Sequence, residues 1–313
     1  MELTIPTTRR LLLAAVAGVT ICSIAAPILL SEQSLHIRWK SPPDPAEADG
    51  AARPTGATWD AVRTTSPDGV QLSAWLFTPG RSNGAAVILL HGVGADRTQM
   101  LPHASYLLRA GYTVLTPDSR NHGASGGDTV TYGLREAVDV HAWADMLLAR
   151  IHGARLYGLG ESMGAAVLLQ SLAREPRFRA VVAEAPFDTF EHVATYRMGQ
   201  LTGLGQRVVW PWVRVGFFYI HLAHGLDMET ASPARAIRFT KVPILLIHGD
   251  ADTNIPPSES IALHAANPSS TELWLVTGAQ HTRAFAAAPD EYVRHVLAWF
   301  QSHALPAGQS SNN

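Results

Sequence analysis

The chain has 313 residues, of which 47% are hydrophobic, enough for a sizeable buried core. Its 24 Lys and Arg residues are balanced by 26 Asp and Glu residues, which gives a formal net charge of -2. Because no basic field attracts phosphate groups, we predict no nucleic-acid partner. The single cysteine, Cys22, lies in an apolar N-terminal run, which excludes a disulfide, a cysteine nucleophile and a cysteine metal site from the folded domain.

Residues 11–30 form an uncharged apolar run that directly follows Arg9 and Arg10. A run of this length can cross the hydrocarbon core of a membrane. We therefore predict that residues 1–30 provide a single-pass membrane anchor. The two arginines favour the cytoplasmic side, which would place the rest of the chain outside the cytoplasm. The alternative is a secretory signal that is cleaved near residues 23–25, which would leave a secreted protein.

A polar segment rich in proline, alanine and glycine follows the apolar run. It shows no apolar periodicity, so residues 31–57 are predicted to form a linker. Residues 58–303 are predicted to form the folded domain, and residues 304–313 a polar tail.

Two alternating apolar segments open the domain and are joined by Pro67-Asp68-Gly69, a turn sequence that predicts a β-hairpin. Short apolar runs then alternate with stretches of helical spacing, such as residues 135–150 and 290–300. Buried strands that alternate with helices predict an α/β fold with a doubly wound, mostly parallel sheet. The apolar runs are AAVILLHG, YTVLTPD, ARLYGLG, RAVVAEAP, VPILLIHG and ELWLVTG.

One connection between strands is far longer than a single helix requires. We predict that about residues 188–240 form an inserted helical cap. The segment is rich in aromatic side chains, including Trp210, Trp212 and Phe217. These side chains either bury the cap's own helices against the domain or line an apolar ligand pocket beneath the cap, and the sequence leaves both alternatives open.

The sequence Gly160-Glu161-Ser162-Met163-Gly164 has the pattern G-x-S-x-G and lies between a predicted strand and a predicted helix. This context is typical of a nucleophile elbow, a sharp turn that lifts the serine clear of the sheet. Small neighbours allow strand and helix to approach closely although the backbone at the serine is strained. We predict Ser162 as a nucleophile; the alternative is a plain glycine-rich turn.

A serine hydroxyl needs a general base within hydrogen-bond reach and a third group that orients the base. In a doubly wound sheet the acid and then the histidine follow the serine, each at the carboxyl end of a strand. His281 lies in a loop just past a predicted strand, which makes it the predicted base. His264 and His295 fall within helical patterns and His303 at a helix end, where a packed or solvated histidine is the default.

Asp250 and Asp252 lie just beyond another predicted strand, near the same edge of the sheet. Only one of two residues so close in a loop can orient His281, and position alone does not decide between them. Acyl transfer also needs donors for the developing oxyanion. We predict that these are the backbone N–H groups of Met163, directly after the serine, and of Val93, in a glycine-rich loop.

Five segments occur in the order and strand positions of the α/β-hydrolase superfamily, which the chain resembles over about residues 60–302. They are HGVG at 91–94, DSRNHGASGG at 118–127, GLGESMG at 158–164, HGDADTNIPP at 248–257 and GAQH at 278–281. The closest resemblance is to serine hydrolases of the serine aminopeptidase-like and dienelactone hydrolase-like branches, including membrane-anchored forms. The resemblance implies an α/β-hydrolase fold.

The acid motif of these relatives reads H-G-x-x-D-x-x-[VI]-P. Laid on residues 248–256, it assigns the acid to Asp252 and leaves Asp250 as a structural loop residue. The resemblance also implies that Asp118 and Arg120 belong to loop scaffolding.

Residues and resemblance together predict a serine hydrolase that cleaves carboxylic esters or thioesters through an acyl-serine intermediate, without a cofactor or a metal. The expected substrate is a small-molecule or lipid-like acyl compound, and residues 11–30 are expected to contact a membrane. One alternative is a serine peptidase of the aminopeptidase type, although no acidic pair to hold a substrate ammonium is evident. Another is a non-catalytic binding protein that keeps the fold. The oligomeric state is left open.

Overall fold

The computed structural model describes residues 23–37 and 41–304, and eight strands of this part form one sheet. In chain order they are β1 (Thr58–Thr65), β2 (Gln71–Thr78), β3 (Ala85–Leu90), β4 (Thr113–Pro117), β5 (Arg155–Glu161), β6 (Phe178–Glu184), β7 (Ile244–Gly249) and β8 (Thr271–Val276). Their spatial order is β1-β2-β4-β3-β5-β6-β7-β8. β2 pairs antiparallel with β1 and β4, and the other pairings are parallel. The predicted hairpin and the predicted mostly parallel sheet are confirmed.

Helices cover both faces of this sheet and connect its parallel strands. They are α1 (residues 23–35), α2 (Pro45–Ala52), α3 (Leu101–Arg109), α4 (Glu136–Arg150), α5 (Met163–Ser171), α6 (Phe190–Thr202), α7 (Gln206–His224), α8 (Pro233–Ile237), α9 (Ser258–Ala266), α10 (Ala284–Ala287) and α11 (Pro289–Ser302). α4 and α11 match the two segments whose spacing predicted helices.

The core consists of two hydrophobic clusters, one on each face of the sheet. In β3, Ile88 belongs to the cluster that contains Trp143 of α4, whereas its neighbour Leu89 belongs to the cluster that contains Phe300 of α11. Successive strand residues point to opposite faces, so a strand that is covered on both sides reads as a continuous apolar run. This explains why the buried strands could be predicted from apolar runs in the sequence.

The segment predicted to be a linker, residues 31–57, is largely folded onto the domain, so that prediction is wrong. α1 continues into it and buries Leu35 completely. α2 begins at an N-cap, where the Asp44 carboxylate accepts the N–H of Ala46, and it buries Ala48 in the core. Alanine favours helices and packs closely, but a helix that buries only alanines lacks the strong apolar periodicity that identifies a helix in a sequence.

Residues 1–22, most of the predicted membrane anchor, lie outside the described residues. Residues 23–30 are helical and form the first part of α1, where Ile24 and Leu29 are 50% and 62% exposed. Among the helices of residues 23–37 and 41–304, none is both long enough and apolar enough to cross a membrane.

The long connection between β6 and β7 contains α6, α7 and α8, at the place where an inserted cap was expected. α6 packs against α7, and α1 packs closely against α7 from another side. A Cβ atom on Gly216 of α7 would lie 2.5 Å from the Ser31 hydroxyl oxygen of α1. α1 is therefore part of the helical layer that the cap forms.

Candidate active site

Ser162 occupies a sharp turn between β5 and α5, with φ 53° and ψ -118°. A serine in this backbone region stores about 1–3 kcal/mol of strain. Close packing around the turn requires glycine on both sides of the serine. A Cβ atom on Gly160 would lie 2.5 Å from the carbonyl oxygen of Gly164, and one on Gly164 would lie 2.2 Å from the carbonyl oxygen of Leu90. The surrounding structure thus fixes the serine at the head of α5.

Ser162, His281 and Asp252 are joined by two hydrogen bonds. The Ser162 Oγ lies 2.9 Å from Nε2 of His281, and the His281 Nδ1 lies 2.7 Å from Oδ2 of Asp252. Because an ionised carboxylate only accepts hydrogen bonds, the proton of the neutral imidazole belongs on Nδ1. Nε2 then presents its lone pair to the serine hydroxyl, as a general base requires.

Several donors surround the buried carboxylate of Asp252. Its Oδ1 accepts the backbone N–H groups of Asn254 at 2.8 Å and Ile255 at 3.0 Å. Burial alone would raise the pKa of Asp252, but hydrogen bonds from His248 and His281 outweigh it and hold that pKa well below its ordinary value. Asp252 is therefore a carboxylate that can stabilise a positive charge on His281.

The neighbouring carboxylate, Asp250, is exposed and serves another purpose. It accepts the backbone N–H of Gly278 at 2.7 Å and so connects the loop after β7 to the loop after β8. Of the two aspartates in the motif, it is Asp252 that contacts His281.

The two predicted oxyanion donors, the N–H groups of Val93 and Met163, belong to residues that line the same cavity as Ser162. Met163 is the first residue of α5, so its N–H has no acceptor within the helix. Val93 lies in the turn after β3, between Gly92 and Gly94. These are the two types of donor that an oxyanion hole uses, and the assignment of both N–H groups stays a prediction.

Gln99 connects this turn to the residue that precedes the nucleophile. Its Oε1 accepts the Gly92 N–H at 2.9 Å, and its Nε2 donates to Glu161 Oε2 at 2.6 Å. The other oxygen of Glu161 lies 2.7 Å from Nε2 of His103. Sequence reasoning missed these residues, because Glu161 is a variable position of the G-x-S-x-G pattern and its partners come from a different part of the chain.

We expect Gln99→Ala to lower kcat at least tenfold, because the turn carrying Val93 would lose its connection to Glu161 and small misplacements of catalytic groups cost up to about 100-fold. Steady-state hydrolysis of a short p-nitrophenyl ester measures this loss. Thr98→Ala is the matched control, since its hydroxyl in the same helical turn bonds to Asp96 rather than to Gly92 or Glu161. Equal kcat values for the two variants would contradict the assigned role.

Glu184, at the end of β6, is a second buried carboxylate beside the site. Its backbone carbonyl accepts the Ser162 N–H at 2.8 Å, and its side chain accepts the Ala284 N–H at 3.0 Å. Burial, and next the charge of Glu161, raise the pKa of Glu184 to about 7. Glu184 therefore joins the nucleophile turn to the loop that carries His281.

The DSRNHGASGG loop lies beside the site and is held by buried ion pairs. Asp118 pairs with Arg97 at 2.6 Å, and Arg120 pairs with Asp139 at 2.6 Å. All four side chains are nearly or fully buried, and none of them lines the cavity at Ser162. Their contacts are those of loop scaffolding.

A mostly apolar cavity of about 650 Å³ opens at Ser162 and His281. Trp212 and Phe217 belong to its wall, but Trp210 does not. Trp210 is 47% exposed and its indole N–H donates to Glu191, so its assignment to the pocket is corrected. The wall from the cap includes Phe190, Val193, Ala194, Met198, Val213 and Ile220. The wall from α1 consists of Pro27, Leu30, Ser31 and Ser34, none of which the sequence indicated.

The strand order and the sharp turn at Ser162 are those of the α/β-hydrolase fold, and similarity to a family model and to solved esterase structures supports membership of the α/β-hydrolase superfamily. Residues 81–236 match a family model described as serine aminopeptidase, S33. Over 213 residues the chain is 28% identical to the uncharacterized protein YqkD of Bacillus subtilis, covering 67% of this chain and 69% of that protein.

Two further relatives have described activities. The esterase Pf2001 of Pyrococcus furiosus, in its P21 crystal form, superposes with a TM-score of 0.64 and 28% identity over 80% of this chain and 94% of that chain. The sn-1-specific diacylglycerol lipase ABHD11 of Danio rerio is 32% identical over 139 residues, which cover 43% of this chain and 41% of the lipase. These relatives support hydrolase activity.

Proposed function

We propose that the protein is a serine hydrolase that cleaves carboxylic esters or thioesters of apolar acyl groups. One observation carries the proposal: the Ser162–His281–Asp252 hydrogen bonds lead to an apolar cavity that Ser162 and His281 line. The names of the Pyrococcus esterase and the zebrafish lipase agree with ester chemistry.

In the proposed reaction, Ser162 Oγ attacks the carbonyl carbon of the substrate and its proton moves to Nε2 of His281. The N–H groups of Val93 and Met163 donate to the oxyanion of the tetrahedral intermediate. His281 then returns the proton to the leaving alcohol or thiol, which departs and leaves an acyl-serine. A water molecule, deprotonated by His281, attacks that ester, and the acid is released as Ser162 regains its proton.

The cavity wall favours an acyl chain as the part of the substrate that is bound. Among the described residues that line it, Arg197 is the one Lys or Arg, and none is an Asp or Glu. An aminopeptidase needs an acidic group to hold the substrate's ammonium, so this wall does not favour the peptidase alternative. A catalytically inactive binding protein would not require the hydrogen bonds between His281 and its two partners.

A chain-length series of p-nitrophenyl esters tests the acyl pocket. We expect kcat/KM to rise from acetate toward medium or long acyl chains. Ala194→Trp, which places an indole into the cavity from α6, should lower kcat/KM for a dodecanoyl ester by about 10- to 100-fold while changing the acetate value little.

Ala298→Trp is the matched control, because Ala298 lies exposed on α11, a helix that does not contribute to the cavity. It should leave both esters unaffected. The proposed acyl pocket would be contradicted if the wild type preferred the acetate ester, or if Ala194→Trp lowered kcat/KM equally for both esters.

We further propose that residues 11–30 anchor the chain in a membrane with the catalytic domain outside the cytoplasm. The uncharged run after Arg9 and Arg10 motivates this, and the exposed Leu29 on α1 and Phe218 on α7 would suit a location near lipid. Alkaline carbonate extraction of membranes tests the anchor, and release of the full-length chain into the supernatant would contradict it.

A further inference from the structure

Glu32, His36 and His224 bring two imidazoles and a carboxylate together where α1 meets the end of α7. Glu32 lies in the last turn of α1, and His36 directly follows that helix. Because the His36 N–H still donates to the Glu32 carbonyl at 2.9 Å, the two side chains project from the same face. The His36 Nε2 lies 3.1 Å from Glu32 Oε2, and the His224 Nε2 lies 2.7 Å from Glu32 Oε1. The three ligand atoms are all within 4.8 Å of one another.

The surroundings of His36 fix which of its nitrogens can bind a cation. Its Nδ1 lies 2.8 Å from the carbonyl oxygen of Asp128, which can only accept, so Nδ1 carries a proton. In a neutral imidazole the lone pair is then on Nε2, and that lone pair faces a carboxylate oxygen of Glu32. A cation placed between these two groups would be bound by both of them.

Further contacts resemble those that support metal ligands in proteins. A ligating histidine usually donates its other N–H to a carbonyl or carboxylate, as His36 does here. The ligating carboxylate is usually hydrogen-bonded as well, and Glu32 accepts the Tyr219 hydroxyl at 2.7 Å. The side chains of Glu32, His36 and His224 are between 23% and 38% exposed, so an ion can reach them without unfolding.

We propose that Glu32, His36 and His224 form a binding site for Zn²⁺ that joins α1 to the cap helix α7. Two imidazoles with one carboxylate are a donor set that suits Zn²⁺, whereas Mg²⁺ and Ca²⁺ prefer oxygen ligands. Ligand atoms that share one tetrahedral Zn²⁺ lie roughly 3.3 Å apart. The two contacts with Glu32 are 3.1 Å and 2.7 Å long, and the third pair of ligand atoms lies within 4.8 Å. The fourth position of a tetrahedral ion would be open to water.

The site stands apart from the catalytic chemistry. Its three residues are outside the wall of the cavity at Ser162, but both helices that it joins contribute to that wall. A bound ion would hold α1, whose Ser31 lies against Gly216, on α7, and so would keep the acyl cavity closed on this side. The role is structural, and no step of ester hydrolysis passes through the ion.

Titration of the full-length, tag-free protein with ZnCl2 after EDTA treatment tests the site. We expect isothermal titration calorimetry to show one Zn²⁺ per chain and Tm to rise with Zn²⁺ concentration, because a ligand that binds only the folded state stabilises it. MgCl2 at equal concentration should leave Tm unchanged. Glu32→Gln and His224→Gln should each weaken Zn²⁺ binding at least tenfold and remove most of the Tm shift.

His221→Gln is the matched control, since His221 is an exposed histidine one turn earlier on α7. It should bind Zn²⁺ as the wild type does. The proposal is overturned if the wild-type Tm does not respond to Zn²⁺, a result that does not depend on how the variants fold. It is also overturned if well-folded Glu32→Gln protein, checked by circular dichroism, binds Zn²⁺ with wild-type affinity.

Discussion

Ser162→Ala is expected to lower kcat for ester hydrolysis by about 10⁴- to 10⁶-fold and to abolish covalent labelling by a fluorophosphonate probe. The hydroxyl that contacts His281 Nε2 at 2.9 Å is the atom that would form the acyl bond, so its removal leaves no nucleophile. Residual activity would come from the oxyanion donors and from substrate binding alone. Stopped-flow and long-time assays of p-nitrophenyl ester hydrolysis cover this range.

Two comparisons separate loss of the nucleophile from loss of the fold. Ser171→Ala removes a hydroxyl from the same helix, α5, where it bonds only to the Leu168 carbonyl, and it should keep most of the activity. Ser162→Gly should be as inactive as Ser162→Ala, yet its Tm should be higher, because glycine adopts the φ of 53° without strain. A Ser162→Ala protein that retains a tenth of the wild-type kcat would refute the assigned nucleophile.

Asp252→Asn is expected to lower kcat by about 10⁴-fold, whereas Asp250→Asn should cost less than about tenfold. The Asp252 carboxylate holds the proton of His281 on Nδ1, and a neutral amide at this position neither fixes that tautomer nor stabilises the imidazolium. At position 250 an asparagine oxygen can still accept the Gly278 N–H. The two substitutions are chemically identical and two residues apart, so each is the control for the other.

The kcat values of both variants, measured with the same short ester at one pH, decide the assignment. A larger loss for Asp250→Asn would show that the acid of the triad is the exposed aspartate. Equal and small losses would mean that His281 needs no carboxylate partner, contrary to the 2.7 Å contact with Asp252.

The sheet and the nucleophile turn could be predicted because their sequence signals are local. A doubly covered strand must be apolar on both faces, as β3 is, and a strained serine turn needs glycines at fixed spacing, as at Gly160 and Gly164. The acid of the triad could not be predicted in the same way. Asp250 and Asp252 are equivalent by position, and what separates them is burial and hydrogen bonding created by the folded loop.

Features that depend on distant contacts could not be predicted in this way. The Gln99 side chain hydrogen-bonds to two other segments of the chain, at Gly92 and Glu161. No sequence pattern around Gln99 predicts either contact. Trp210 lies seven residues before Phe217 and so on a similar face of α7, yet only Phe217 reaches the cavity. Trp210 and Phe217 differ because the cavity covers only part of the length of α7. The packing of α6 and α1 against α7 determines which part that is.

The part of α1 that completes the cavity wall sets a lower limit to how far the chain can be shortened. A protein that starts at β1 would keep Ser162, Asp252 and His281 but would lose Leu35 and the four wall residues of α1. It would still react with small probes, while its pocket would be open to solvent on one side. A substrate screen on so short a protein would therefore underestimate the activity toward substrates with long acyl groups.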